Sequence, residues 1–95
     1  MGKITVQNVG QPGKIYQVDA AKYAEMRAAF LAVMPDAAPG LTPPEIGAAV
    51  RPLLAEALFP GGATSGWWVK CVQLDLEAQG VVARGPKGPV RLWRV

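Results

Sequence analysis

Few residues of this chain can do chemistry, and their spacing assembles no reaction centre. Among 95 residues there is no histidine and only one cysteine, Cys71. Imidazole acid–base catalysis and histidine-containing zinc sites are thereby removed, and no internal disulfide can form. Cys71 falls in a helical stretch beside apolar residues, where a thiol reads as a buried, inert group. Asp75 and Glu77 stand two apart, a spacing at which helical side chains diverge rather than share a proton. Ser65 has no base near it in sequence. The run Pro60-Gly61-Gly62-Ala63-Thr64-Ser65-Gly66 could present amides to an anion at a helix start. A phosphate-binding loop needs Lys and then Ser or Thr after its last glycine, and Trp67-Trp68 stand there instead. The inventory therefore predicts no catalytic residue, no metal ligand and no cofactor site, and the chain reads as something other than an enzyme.

Charge is the pattern that remains. The formal net charge is +3, with 10 basic and 7 acidic residues. All the acids lie between Asp19 and Glu77. Before them come Lys3 and Lys14; after them come Arg84, Lys87, Arg91 and Arg94 with no carboxylate between. Such a basic end can contact phosphates, and its bland counterpart is ordinary solvated strand charge. On the preceding helix Lys70 and Gln73 are the side chains with the chemistry to reach base edges, opposed there by Asp75 and Glu77. The candidate nucleic-acid contacts are thus Lys70, Gln73, Arg84, Lys87, Arg91 and Arg94.

These residues are positioned by a hairpin, three helices and a second hairpin. Lys3 to Val9 alternates in hydropathy, Gly10 to Gly13 is a turn, and Lys14 to Val18 continues as a strand. A lone hairpin is marginal in water, so it must lie on the helices, pair with the other hairpin or pair with a second copy. Asp19 caps a helix over 20–34, whose Tyr23, Met26, Phe30, Leu31 and Met34 form one face; Pro35 ends it. Thr42-Pro43-Pro44-Glu45 is a capping box with proline at the first helical position. Ile46, Val50, Leu53 and Leu54 follow as a buried face. Pro52 should stop that helix near Arg51 and force a kink or fresh turn through Leu58, with Phe59 anchoring the exit.

The third helix is read with Ser65 as N-cap and Gly80 as a left-handed stop. Trp68, Val69, Val72 and Leu76 form its buried face. Trp67, Cys71, Leu74 and Ala78 form a second apolar stripe, expected to be buried under the first hairpin rather than offered to a partner. Val81 to Arg84, a Gly-Pro-rich turn and Val90 to Val95 complete the second hairpin.

The segment Leu76-Glu77-Ala78-Gln79-Gly80-Val81-Val82-Ala83-Arg84 resembles the exit from the third helix into the wing of winged helix-turn-helix proteins. Over nearly its whole length, from the KITVQNV and VDAAKY segments through LTPPEI to GWWVKCVQLDLEAQGVVAR, the chain is similar to a group of short uncharacterised bacterial proteins. The resemblance implies one winged-helix-like domain over residues 1–95, α+β in the order ββαααββ, and brings no activity with it. The loop from Phe59 to Ser65 is longer than the tight turn usual in a helix-turn-helix.

Two expectations follow. One is weak or nonspecific DNA binding through the basic wing, as a regulator or accessory factor. The other is a protein-interaction module, or a homodimer through the first hairpin, with no nucleic-acid role. No run of eighteen apolar residues exists to span a membrane, and the opening residues form neither a signal peptide nor a myristoylation site. The expected location is cytoplasmic.

Overall fold

The computed structural model describes residues 2–86 and 88–95. The fold is α+β, with two hairpins flanking three helices in the order ββαααββ. Strands β1 (Lys3–Gln7) and β2 (Ile15–Asp19) pair antiparallel, Ile4 opposite Val18 and Val6 opposite Tyr16. Strand β1 stops at Gln7 rather than Val9. The Asn8 side chain takes the Gly10 amide at 2.8 Å and its carbonyl takes the Gln11 amide at 3.0 Å, so the turn begins two residues early.

Helix α1 (Ala20–Val33) starts where the Asp19 carboxylate accepts the Lys22 amide at 3.0 Å. Helix α2 (Pro43–Val50) carries the full capping box. Beyond it a 3-10 turn, Arg51–Leu53, accommodates Pro52. That turn has three residues per revolution and shifts the helical phase. Leu53, expected in the core, is consequently 51 % exposed, and Leu54 packs against the core instead.

Helix α3 (Ser65–Gln79) begins one residue away from the expected cap. Thr64 is the cap, in a left-handed conformation, and its carbonyl accepts the Trp68 amide at 3.2 Å. Ser65 is the first helical residue and is buried. Gly80 is left-handed as expected, at φ 76°. Its amide bonds to the Glu77 carbonyl at 3.1 Å and that of Val81 to the Leu76 carbonyl at 2.9 Å, the paired closure of a Schellman motif.

Strands β3 (Val82–Arg84) and β4 (Leu92–Arg94) form the second hairpin. Its outer strand does not end the sheet. Leu41, in the connection between α1 and α2, exchanges both backbone hydrogen bonds with Leu92, each 2.9 Å. The Arg94 amide also donates to the Pro35 carbonyl at 2.7 Å. The α1–α2 connection is thereby stitched to the end of the chain.

One core joins these elements. Tyr23, Met26 and Phe30 of α1 meet Ile46 and Val50 of α2, Phe59, and Trp68, Val72 and Leu76 of α3; Val6, Val18, Val82 and Leu92 close it from the hairpins. The first hairpin packs on α1 and α3 rather than on the second hairpin.

Candidate interaction surfaces

The residues expected to meet phosphate are largely occupied within the chain. Gln73 is not on an exposed polar face: it is 1 % exposed, and its amide nitrogen donates to Glu77 Oε2 at 3.0 Å. It sits four residues from Val69 and three from Leu76, on the buried stripe, and cannot reach a base edge without leaving the core. Arg84 grips the same Glu77 with both arms of its fork, Nε to Oε1 at 2.8 Å and Nη2 to Oε2 at 2.9 Å. That bond holds the Arg84 guanidinium above its ordinary pKa.

Arg91 donates to the Gly40 carbonyl at 3.3 Å and lies 3.9 Å from Glu45. The Glu45 carboxyl is in turn held below the usual range by the backbone and hydroxyl hydrogen bonds of Thr42. Two of the three hairpin arginines therefore face carboxylates. The Arg94 side chain is solvent-exposed, as is Lys70. Lys87 lies outside the described residues.

A surface not anticipated as open lies on the other side of α3. Between it and the first hairpin runs a groove of about 390 Å³, whose walls include Val6, Tyr16, Val18, Trp67, Cys71 and Leu74, with Lys70 as its charged member. Trp67 was expected to be covered by the hairpin; it is 59 % exposed. The hairpin takes its place over Asp75 instead and leaves the tryptophan beside the gap. The Trp67 indole stands edge-on to that of buried Trp68, centroids 5.1 Å apart and planes at 81°, so it is braced rather than loose.

Asp75 explains why the hairpin sits there. This carboxylate is 1 % exposed and accepts three hydrogen bonds: the Gln7 amide at 2.8 Å, the Gln79 side chain at 2.7 Å and the Tyr23 hydroxyl. One side chain thus ties β1, α1 and α3 together. Burial and the hydrogen bond to Asp75 push the Tyr23 phenol well above its usual pKa. Burial, with the Asp75 charge nearby, raises the Cys71 thiol to about 11. In sequence Asp75 reads as a neighbour of the polar face, a carboxylate set against phosphate; it is buried instead. Its spacing from Trp68 and Val72, seven and three residues, is the signal that puts it on the buried stripe.

A smaller cleft of about 250 Å³ lies where α2 meets α3, lined by Pro43, Pro44, Gly47, Gly66, Val69, Lys70 and Gln73. The Gln73 Oε1 has no hydrogen-bond partner among the described residues. Those residues contain no group of three or more His, Cys, Asp or Glu placed to hold a metal ion. No helix among them is long and apolar enough to cross a membrane.

Fold and surfaces together define a small α+β domain with an apolar groove between a hairpin and a helix. The chain belongs to the family of unknown function DUF6958, which it matches over residues 3–92. No curated protein and no solved structure gives a significant match.

Proposed function

We propose that the protein is a winged-helix-like interaction module without catalytic activity, which binds another protein in the groove between the first hairpin and α3. The winged-helix reading is supported by the hairpin that follows the third helix and by the Leu41–Leu92 bridge, which fastens that hairpin to the connection ahead of the second helix. The interaction reading is carried by one observation. On the outward side of α3 stands an apolar groove with Trp67 59 % exposed at its edge. A helix that reads DNA turns Arg, Lys, Asn or Gln toward base edges. Here Lys70 is exposed, Gln79 at the helix end is exposed but donates to Asp75, and Gln73 is held inside. An exposed aromatic beside an apolar depression is the composition of a protein contact rather than a phosphate contact.

Two measurements on the full chain test this. A photo-crosslinking side chain is placed at position 67 in one sample and at position 94 in another. Specific protein adducts at 67 and none at 94 are expected. Adducts at 94 alone overturn the reading. Mixed-sequence duplex DNA titrated at low salt should leave the amide spectrum unchanged. Shifts clustered at Arg91 and Arg94, weakening by about one power of salt per phosphate contacted, would make the basic hairpin the working surface instead.

A further inference from the structure

The groove also carries a charge beside its apolar walls. Among the described residues Lys70 is the one charged side chain that lines it. No carboxylate lines it among the described residues: the hairpin's own acid, Asp19, stands at the end of β2 and caps α1. The acid nearest the floor, Asp75, is 1 % exposed, and its oxygens are engaged by Gln7, Tyr23 and Gln79. An incoming chain therefore meets apolar walls, a braced indole and the ammonium of Lys70.

Resting on the interaction reading above, we propose that the groove takes a segment of a partner protein with a bulky apolar side chain flanked by Asp or Glu. The apolar side chain enters between Val6, Val18 and Leu74 and packs on Trp67. A flanking carboxylate lies against Lys70. A second copy of this chain fits less well, since a symmetric contact at this face would bring two Lys70 side chains together with no carboxylate lining the groove to meet them. An aromatic anchor in a desolvated contact supplies affinity, and the rim charge supplies on-rate and choice of partner.

The test selects a random dodecapeptide library on phage against the full chain, then measures the enriched peptides against W67A and K70E. Thermal unfolding confirms that both variants remain folded. The expected peptides carry a Leu, Ile, Phe or Trp beside at least one Asp or Glu. Their affinity should fall roughly tenfold in W67A, the order seen for an interface anchor. It should fall with added salt and fall again in K70E. Peptides sensitive to W67A but free of acids, or indifferent to K70E, overturn the acidic partner and leave the groove reading standing. Peptides indifferent to W67A overturn both. Failure to enrich any peptide overturns the segment chemistry, while crosslinking at position 67 still decides the reading. A dimer in sedimentation that W67A dissolves makes the second copy the occupant and overturns the proposal.

Discussion

The Tyr23 hydroxyl donates to the buried carboxylate of Asp75, joining the first turn of α1 to the middle of α3 beneath the hairpin that covers them both. The same carboxylate accepts the Gln7 amide, so the position of the hairpin depends on it. A buried carboxylate is costly unless its lone pairs are met. Here backbone, phenol and amide meet them. Tyr23→Phe removes one donor and leaves the rest of the core in place. It should destabilise the fold by about 1–3 kcal/mol, the cost of under-satisfying a buried polar group. Chemical denaturation measures the loss, and amide exchange in β1 should quicken with it.

The same pair gives an alkaline signature. Desolvation and the hydrogen bond to Asp75 raise the folded-state pKa of Tyr23 above the tyrosine value of about 10. A raised pKa means the folded state holds its proton longer than the unfolded state does. The associated stability is complete below pH 10 and declines as pH rises beyond it. The Tm of the wild-type chain should therefore drop more steeply above pH 10 than that of Tyr23→Phe. Parallel slopes would mean that the phenol is solvated.

Gly40 marks the closest approach in the second sheet. Its φ is 81°, and a Cβ built on it would lie 2.1 Å from the Leu92 carbonyl oxygen. Gly40→Ala must therefore strain the backbone and push apart the Leu41–Leu92 bridge. A loss of about 2–4 kcal/mol is expected, combining left-handed strain with a backbone clash. Gly47, inside α2, would meet nothing within 4 Å, so Gly47→Ala should instead stabilise by up to about 1 kcal/mol. The opposite signs, read from denaturation midpoints, separate a required glycine from a tolerated one.

Trp67 and Trp68 are neighbours in sequence with different work. Trp68 is 7 % exposed and stands edge-on to Phe59, centroids 6.4 Å apart. Trp68→Ala should cost about 3–5 kcal/mol by lost burial and cavity formation. Trp67→Ala loses only the edge contact with Trp68, worth about 0.5–1.5 kcal/mol. A comparable loss from both variants would place Trp67 in the core and close the groove.

The elements were legible wherever the signal is local. Thr42 to Glu45, Asp19 and Gly80 each act within one helical turn, and the three helices and two hairpins follow from them. What sequence could not deliver depends on distant partners. The amide that satisfies Asp75 lies 68 residues away in β1, so nothing adjacent reveals whether that carboxylate is solvated. Leu41 pairs through one residue, too short for any period to show. Leu53 left the core because Pro52 reset the helical phase. For Trp67 the second apolar stripe on α3 is visible in sequence, whereas the hairpin's place is open there among the helices, the other hairpin and a second copy; it lies against the helices. How far it slides along α3 is set by Asp75, and that decides whether the stripe is covered or open.

Cys71 reports on this same wall of the groove. Its thiol is raised to about 11 by burial and the Asp75 charge. At pH 8 that leaves only about one thiol in a thousand as thiolate, roughly two orders of magnitude below a free cysteine. Alkylation by iodoacetamide should be correspondingly slow and should accelerate with pH toward 11. A bound partner segment should slow it further by covering the thiol. Rapid modification near neutral pH would mean that the hairpin does not pack on α3 as described.

Arg84 separates a structural basic residue from a recognising one. Its two bonds to Glu77 neutralise a carboxylate whose side chain is only 6 % exposed and which also receives Gln73. Arg84→Ala leaves that charge with one neutral donor, which should cost about 1–2 kcal/mol, between the values for surface and buried pairs. Arg84→Lys keeps the charge but cannot reproduce the two-armed geometry and should recover only part of the loss. Arg94→Ala removes a side chain directed to solvent and should leave stability within about 0.5 kcal/mol of wild type. If Arg84 served phosphate instead, its removal would leave stability intact and weaken DNA binding. Melting the three variants in parallel distinguishes the two roles, because only the ion pair predicts that Arg84→Ala is the least stable of them.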